Sequence, residues 1–147
     1  MGIASFLIFL HSLLRYGLLL FLVGSLFFAW RGYLLQRPIL VGERMATIIA
    51  VVLAHVQLLV GLIIYMLRYK SFDRMSGIHE RFWKFEHLGT MLVAIILITL
   101  GRALAKRAKE ERRKQFLVGV FFLIALVLIL WAIPWPHTEL GHGREWI

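Results

Sequence analysis

Residues 116–133 read FLVGVFFLIALVLILWAI, a run of 18 residues that contains no charged side chain. A transmembrane α-helix needs about 17–25 predominantly apolar residues, so this run is long enough to cross a bilayer. Apolar stretches of greater length occupy about 4–30, 45–68 and 83–104. The sequence therefore predicts four membrane-spanning helices.

The composition of the chain indicates the same class of protein. Of the 147 residues, 61% are hydrophobic, which leaves too few polar side chains to cover a soluble globule. Short connections make consecutive helices antiparallel neighbours. We expect an all-α fold, an integral membrane four-helix bundle with up-down-up-down topology, formed by a single domain over residues 1–147. The first stretch lacks a signal-peptide cleavage motif, so we interpret it as a retained helix.

Cysteine content and charge narrow the possible chemistry. The absence of cysteine excludes disulfides, thiolate ligands and covalently attached c-type haem. The formal net charge of +9 would suggest nucleic-acid binding in a soluble protein, but here the basic residues flank the apolar stretches, as topology signals do. We therefore expect the lipid bilayer as a partner and no nucleic acid.

The basic residues are divided unevenly between the two sides of the predicted bundle. Because cytoplasmic loops carry the excess of Lys and Arg, we expect both termini to lie outside the cytoplasm. The run from Lys106 to Lys114 is also a candidate for contact with anionic lipid, although a topological anchor explains it equally well. The inner side holds Arg31, Arg37, Arg44, Arg102, Lys106, Arg107, Lys109, Arg112, Arg113 and Lys114, and the outer side holds Arg68, Lys70, Arg74, Arg81, Lys84 and Arg144.

Three histidines, His11, His55 and His87, each lie in a different apolar stretch. An ionisable side chain in hydrocarbon costs about 2.5 kcal/mol or more, so such residues usually face a partner, a cofactor or a water-filled path. At a rise of about 1.5 Å per residue, His11 lies about 10 Å and His87 about 7 Å from the outer ends of their helices, and His55 lies about 20 Å deep. The first two histidines are therefore expected at a similar depth.

Two neutral imidazoles at matching depth on facing helices suit a b-type haem, one on each side of the iron. We expect His11 and His87 as axial ligands and His55 near a second locus for substrate, quinone or proton transfer. Arg15 shares a helix face with His11, and Trp83 and Met91 lie one turn on either side of His87. The candidate cofactor-binding residues are His11, His55, His87, Arg15, Trp83 and Met91, and the candidate metal ligands are His11, His55 and His87.

Other roles for these residues stay open at this point. Arg15, Arg81, Lys84 or Trp83 can receive haem propionates near the outer surface. Glu86 can orient a histidine, accept a proton from a quinol, or pair with Arg15.

A family resemblance adds to this interpretation. The motifs His11-Ser12-x-x-Arg15, Ala54-His55-x-Gln57 with Gly61, Arg81-Phe82 with Glu86-His87 and Met91, Gly101-Arg102, and Ile133-Pro134-Trp135-Pro136 extend over nearly the whole chain. Together they resemble a family of short bacterial four-helix membrane proteins labelled cytochrome b-like. The resemblance implies a haem-binding bundle in the bacterial inner (cytoplasmic) membrane, with the helix-borne histidines at His11, His55 and His87. A looser similarity is to membrane protoporphyrinogen oxidase and the copper-resistance membrane domains.

The function expected from the sequence is electron transfer by a haem-binding membrane protein, with a membrane quinol or a partner protein, alone or within a larger membrane complex. Two alternatives remain. One is a non-enzymatic membrane subunit or assembly factor whose histidines are structural, and the other is porphyrinogen oxidation in haem biosynthesis.

Overall fold

A computed structural model describes residues 2–141 of the chain and confirms the all-α four-helix bundle. The four helices are α1 (Ile3–Leu35), α2 (Val41–Phe72), α3 (Gly77–Arg107) and α4 (Glu111–Ala132), and each is long and apolar enough to cross a membrane. A short 3₁₀ turn, Glu139–Gly141, follows α4. Arg144, counted above with the outer-side charges, lies outside the described residues.

The helices are longer than the apolar stretches that predicted them. The prediction began α2 at about 45 and α3 at about 83, but the two helices begin at Val41 and Gly77. The loop expected over 69–82 is reduced to residues 73–76. The reason is that a helix satisfies its own backbone hydrogen bonds, so polar flanking residues can continue it beyond the hydrocarbon.

Helix packing follows the chain order. Each helix packs on its neighbour in sequence, and α4 also packs on α1, which closes the bundle. Buried small residues at the contacts let the helix backbones approach closely, as is usual in membrane bundles. They include Ala50 and Ala54 of α2, Ala94 of α3 and Ala125 of α4, which surround the fully buried Leu22, Ile98 and Phe122.

The outer surface of the bundle is apolar. Large hydrophobic side chains such as Leu20, Leu59, Ile96 and Val127 are exposed on all four helices. A continuous apolar surface of this kind would be a liability in water and is suited to contact with lipid. The architecture therefore agrees with a multi-pass membrane protein in a lipid bilayer.

One end of the bundle is fastened by polar contacts between the α1–α2 connection and α4. Arg37 and Glu43 form a bidentate ion pair, and the shorter of its two N–O distances is 2.5 Å. The Gln115 side-chain amide donates to the Arg37 carbonyl at 2.9 Å, and the Ile39 N–H donates to the Glu111 carboxylate at 3.1 Å. These bonds hold the first connection against the start of α4.

We predict that Gly101→Ala destabilises the bundle, whereas Gly89→Ala, on the same helix, does not. A Cβ atom at Gly101 would lie 2.5 Å from the Cβ of Phe121, whereas one at Gly89 meets nothing within 4 Å. Overpacking of this kind costs about 1–3 kcal/mol, but alanine in an open helix position gains up to about 1 kcal/mol over glycine. Thermal unfolding in detergent, followed by circular dichroism, should show a lower Tm for the first variant only. Equal Tm values would contradict close packing of α3 on α4.

Candidate functional site

A cavity lies between all four helices at the end that holds the start of α1 and the α2–α3 turn. Its volume is about 160 Å³, and it opens into a wider cleft. His11 of α1 and His87 of α3 both line it. The structure therefore brings together the two histidines that the sequence analysis placed at a similar depth.

The position of His87 is fixed by the end of α4. In a continuing helix the Ala132 carbonyl would accept a hydrogen bond from the residue four positions later, but that residue is Pro136, which has no N–H. The His87 ring supplies the missing donor, with Nδ1 at 2.9 Å from the Ala132 oxygen. A carbonyl oxygen only accepts, so the proton of the neutral ring is on Nδ1 and the lone pair is on Nε2.

The other proline at this end of α4, Pro134, also leaves a carbonyl without a backbone donor. Pro134 cannot donate to the Leu130 carbonyl four residues earlier, and the Trp135 indole N–H donates to that oxygen instead, at 2.9 Å. Both carbonyls that the prolines deprive of a backbone donor thus receive a ring N–H. The motif Ile133-Pro134-Trp135-Pro136 ends α4 and at the same time creates the acceptor that holds His87.

Immediately before His87 the helix widens into a π-helical segment, Phe82–Glu86. The backbone N–H of His87 donates to the Phe82 carbonyl, which is five residues back in the chain instead of the usual four. Segments of this kind occur frequently at functional sites. The sequence offered no signal for it, because this segment contains neither Gly nor Pro.

Aromatic rings surround His87 in this widened turn. The ring centroids of Phe82 and Trp83 each lie 5.6 Å from that of His87. Trp83 in turn stacks on Phe72 of α2, with 6.3 Å between centroids and 15° between planes. Trp83 and Met91 both line the cavity, as expected from their spacing around His87.

His11 is held between α1 and α2. The Gln57 amide donates to the His11 carbonyl at 2.8 Å and joins the two helices. The imidazole lies over Gly61, where a Cβ atom would be 3.0 Å from Cε1, so Gly61 makes room for the ring. The His11 Nδ1 atom is buried and has no hydrogen-bond partner among residues 2–141, and the same is true of Gln57 Oε1.

His55 does not reach this cavity. Its side chain is exposed on the outer surface of α2, and Nδ1 donates to the Val51 carbonyl of its own helix at 2.8 Å. The neighbouring Ala54 points into the core and is fully buried. Adjacent helical residues point about 100° apart, so only one of the pair can face inward. The structure therefore separates His55 from His11 and His87.

The charged residues that line the cavity are only partly those that the sequence predicted. Arg15 lines the cavity as expected, and its guanidinium carbon lies 4.8 Å from the centroid of the Tyr16 ring. Arg68, near the end of α2, lines the same cavity and was not proposed from the sequence. Its position near the end of an apolar helix is also where a long cation would snorkel, so the sequence did not mark it as a site residue.

The other proposed polar residues are engaged elsewhere. Lys84 pairs with Asp73 at 2.6 Å and with Glu80 at 2.7 Å. Glu86 pairs with Arg81, with 2.6 Å between Nε and Oε1. The ion-pair partner of Glu86 is therefore Arg81, and not Arg15 as the sequence analysis had considered. The apolar pattern did not predict the Lys84 contacts, because Asp73 and Glu80 both lie between the second and third apolar stretches.

Comparison of the chain with protein-family models, with curated proteins and with solved structures gives no match.

The donor set of the cavity limits its chemistry. Within residues 2–141 no group of three or more His, Asp or Glu side chains is placed to hold a metal ion. The cavity instead offers two imidazoles, two guanidinium groups and largely apolar walls. Imidazoles can serve as metal ligands or hydrogen-bonding groups, and guanidinium groups can pair with carboxylates.

We predict the Nδ1–H tautomer for neutral His87 and for neutral His55, because each ring donates from Nδ1 to a carbonyl. Nitrogen-15 NMR of the purified protein in detergent measures this directly, and His87→Gln and His55→Gln variants assign the two signals. His137, exposed and beyond the end of α4, serves as the internal reference. A protonated Nε2 and bare Nδ1 on His87 would contradict the contact with Ala132.

Proposed function

We propose that this protein binds one b-type haem non-covalently in the four-helix cavity, with His11 and His87 as the axial ligands, and that it transfers electrons in the membrane. The observation that carries the proposal is that two histidines from different helices line one cavity inside an apolar bundle. Imidazoles are costly in this environment unless they have a partner. A shared ligand would account for both.

The local geometry of each histidine supports a ligand role. Metal-bound histidines commonly donate their second ring N–H to a carbonyl, which fixes the ring and its tautomer. His87 makes this bond to Ala132. His11 has a buried ring nitrogen whose hydrogen-bonding capacity no described residue meets.

The surroundings also suit the carboxylates and the apolar body of a porphyrin. Arg15 and Arg68 line the cavity and supply two positive charges for propionates, and Trp83, Met91 and Ile95 provide apolar contact. The enclosed part of about 160 Å³ is smaller than the roughly 300–1000 Å³ typical of small-molecule sites. A ligand as large as a porphyrin would therefore also occupy the open part of the cleft.

The protein would position the two histidine ligands, exclude water from the site and supply positive charge for the propionates. The Ala132 carbonyl holds His87, Gly61 leaves room for His11, and the apolar walls keep water away from the centre. When bound, a b-type haem supplies a one-electron redox couple. Because the site is inside the bundle, we assign the exchange partner to a membrane quinol or a membrane-bound redox protein.

The test is the visible absorption spectrum of protein expressed with haem supplementation and purified in detergent. The wild type should show a sharp reduced α-band after dithionite. His11→Ala and His87→Ala should each abolish that band, because each removes one of the two ligands. His55→Ala is the matched control, since His55 lies on the outer surface, and it should retain the band at full intensity.

The outcomes separate the competing functions. A colourless wild type would overturn the haem assignment and favour histidines with a purely structural role. Loss of the band in His55→Ala, with His11→Ala unaffected, would contradict the ligand pair. Retained helicity by circular dichroism must accompany each loss, so that unfolding is distinguished from loss of a ligand.

We further propose that both termini lie outside the cytoplasm in a bacterial inner membrane. The support is the excess of Lys and Arg at the end of the bundle formed by the α1–α2 and α3–α4 connections. Reporter fusions check it: alkaline phosphatase inserted at 74 should be active, and the same reporter inserted at 109 should be inactive. The reverse pattern would contradict the orientation.

A further inference from the structure

A second cavity, of about 230 Å³, lies at the opposite end of the bundle from the histidines. It is formed where α2, α3 and α4 meet the α1–α2 connection. Four of its lining side chains are cationic, and the rest are apolar or carry a hydroxyl. The lining residues with charge are Arg44, Arg102, Lys106 and Lys114.

The positive charge of this cavity is only partly compensated within the described chain. Glu111 forms an ion pair with Lys114, accepts the Ile39 N–H at 3.1 Å and is close enough to Arg44 for their charges to interact. Arg102 and Lys106 form no ion pair with any carboxylate of residues 2–141. Of the four lining cations, Lys114 pairs with Glu111 and Arg44 lies near the same carboxylate, so the uncompensated charge is on α3.

The two uncompensated cations are placed to act together. Arg102 and Lys106 are four residues apart on α3, so they share one helix face. Arg102 is half-buried and Lys106 is exposed, so the pair extends from the cavity wall towards its mouth. A guanidinium next to an ammonium group is a suitable arrangement for a phosphate, because the first binds with paired N–H donors and the second with a point charge.

Apolar side chains in and near the cavity favour a phosphate that belongs to a lipid. Ile39, Ala105 and Val118 line the cavity together with the cations. At the same end of the bundle, Leu40, Met45 and Leu104 are exposed. A phosphate site at the end of membrane-spanning helices, bordered by apolar surface, lies at headgroup level with acyl chains alongside.

We propose that this cavity binds the headgroup phosphate of an anionic phospholipid, with Arg102 and Lys106 as the main contacts and Arg44 as a third cation. The site is separate from the histidine cavity and does not depend on what that cavity binds. One part of its wall is Ile39 of the α1–α2 connection, which Arg37, Glu43 and Gln115 fasten in place. The charges at this end therefore have a binding role as well as an effect on topology.

The experiment compares phosphatidylglycerol with phosphatidylcholine by native mass spectrometry of the delipidated protein in detergent. The Arg102→Gln/Lys106→Gln variant should lose phosphatidylglycerol affinity roughly tenfold or more, since each cation near a membrane surface contributes about fivefold. The matched control is Arg107→Gln/Arg113→Gln. It removes the same charge from the same end of the bundle, at exposed residues that do not line the cavity.

Each outcome decides the proposal. Preference for phosphatidylglycerol that is lost in the first variant and kept in the control supports it. An equal loss in both variants indicates diffuse attraction and overturns it. Protection against thermal unfolding by inorganic phosphate as strong as that by phosphatidylglycerol overturns the lipid assignment. Arg102→Lys/Lys106→Arg, which preserves both charges, should retain binding, and Arg44→Gln gives a second test if the double variant does not fold.

Discussion

The geometry of the histidine cavity depends on two prolines that cannot donate hydrogen bonds. Pro134 and Pro136 each leave one carbonyl of α4 without its backbone partner, and in a membrane such a carbonyl is costly. The Trp135 indole satisfies one of them and the His87 imidazole satisfies the other. A missing backbone hydrogen bond at the end of α4 thereby fixes the orientation of the His87 ring on α3.

The opposite wall of the cavity depends on close packing. Gly61 of α2 lies directly under the His11 ring, and the Gln57 amide ties the same two helices together through the His11 carbonyl. Fully buried Ala50 and Ala54 continue this contact deeper into the bundle. One histidine is therefore positioned by a hydrogen bond and the other by the space that a glycine leaves.

Much of the fold could be predicted from the sequence, because the length and number of apolar stretches determine how many helices cross a membrane. The juxtaposition of His11 and His87 was also predictable from helix depth. The outward direction of His55 was not, because its rotation about α2 is set by whether Ala54 or His55 packs inward. Neither the π-helical segment nor the place of Arg68 in the cavity has a signature in the order of residues.

The π-helical segment lets α3 hold one residue more than an ordinary α-helix would in the same turn. Removal of one residue from Phe82–Glu86 would allow an α-helical ladder to form, and the parts of the helix before and after it would keep their relative orientation. Arg81 and Glu86, now five residues apart, would become four residues apart and would still share a helix face. The width of the turn beside His87, where Phe82 and Trp83 pack near the ring, would be lost. A one-residue deletion here would therefore change the surroundings of His87 and leave the rest of the bundle in register.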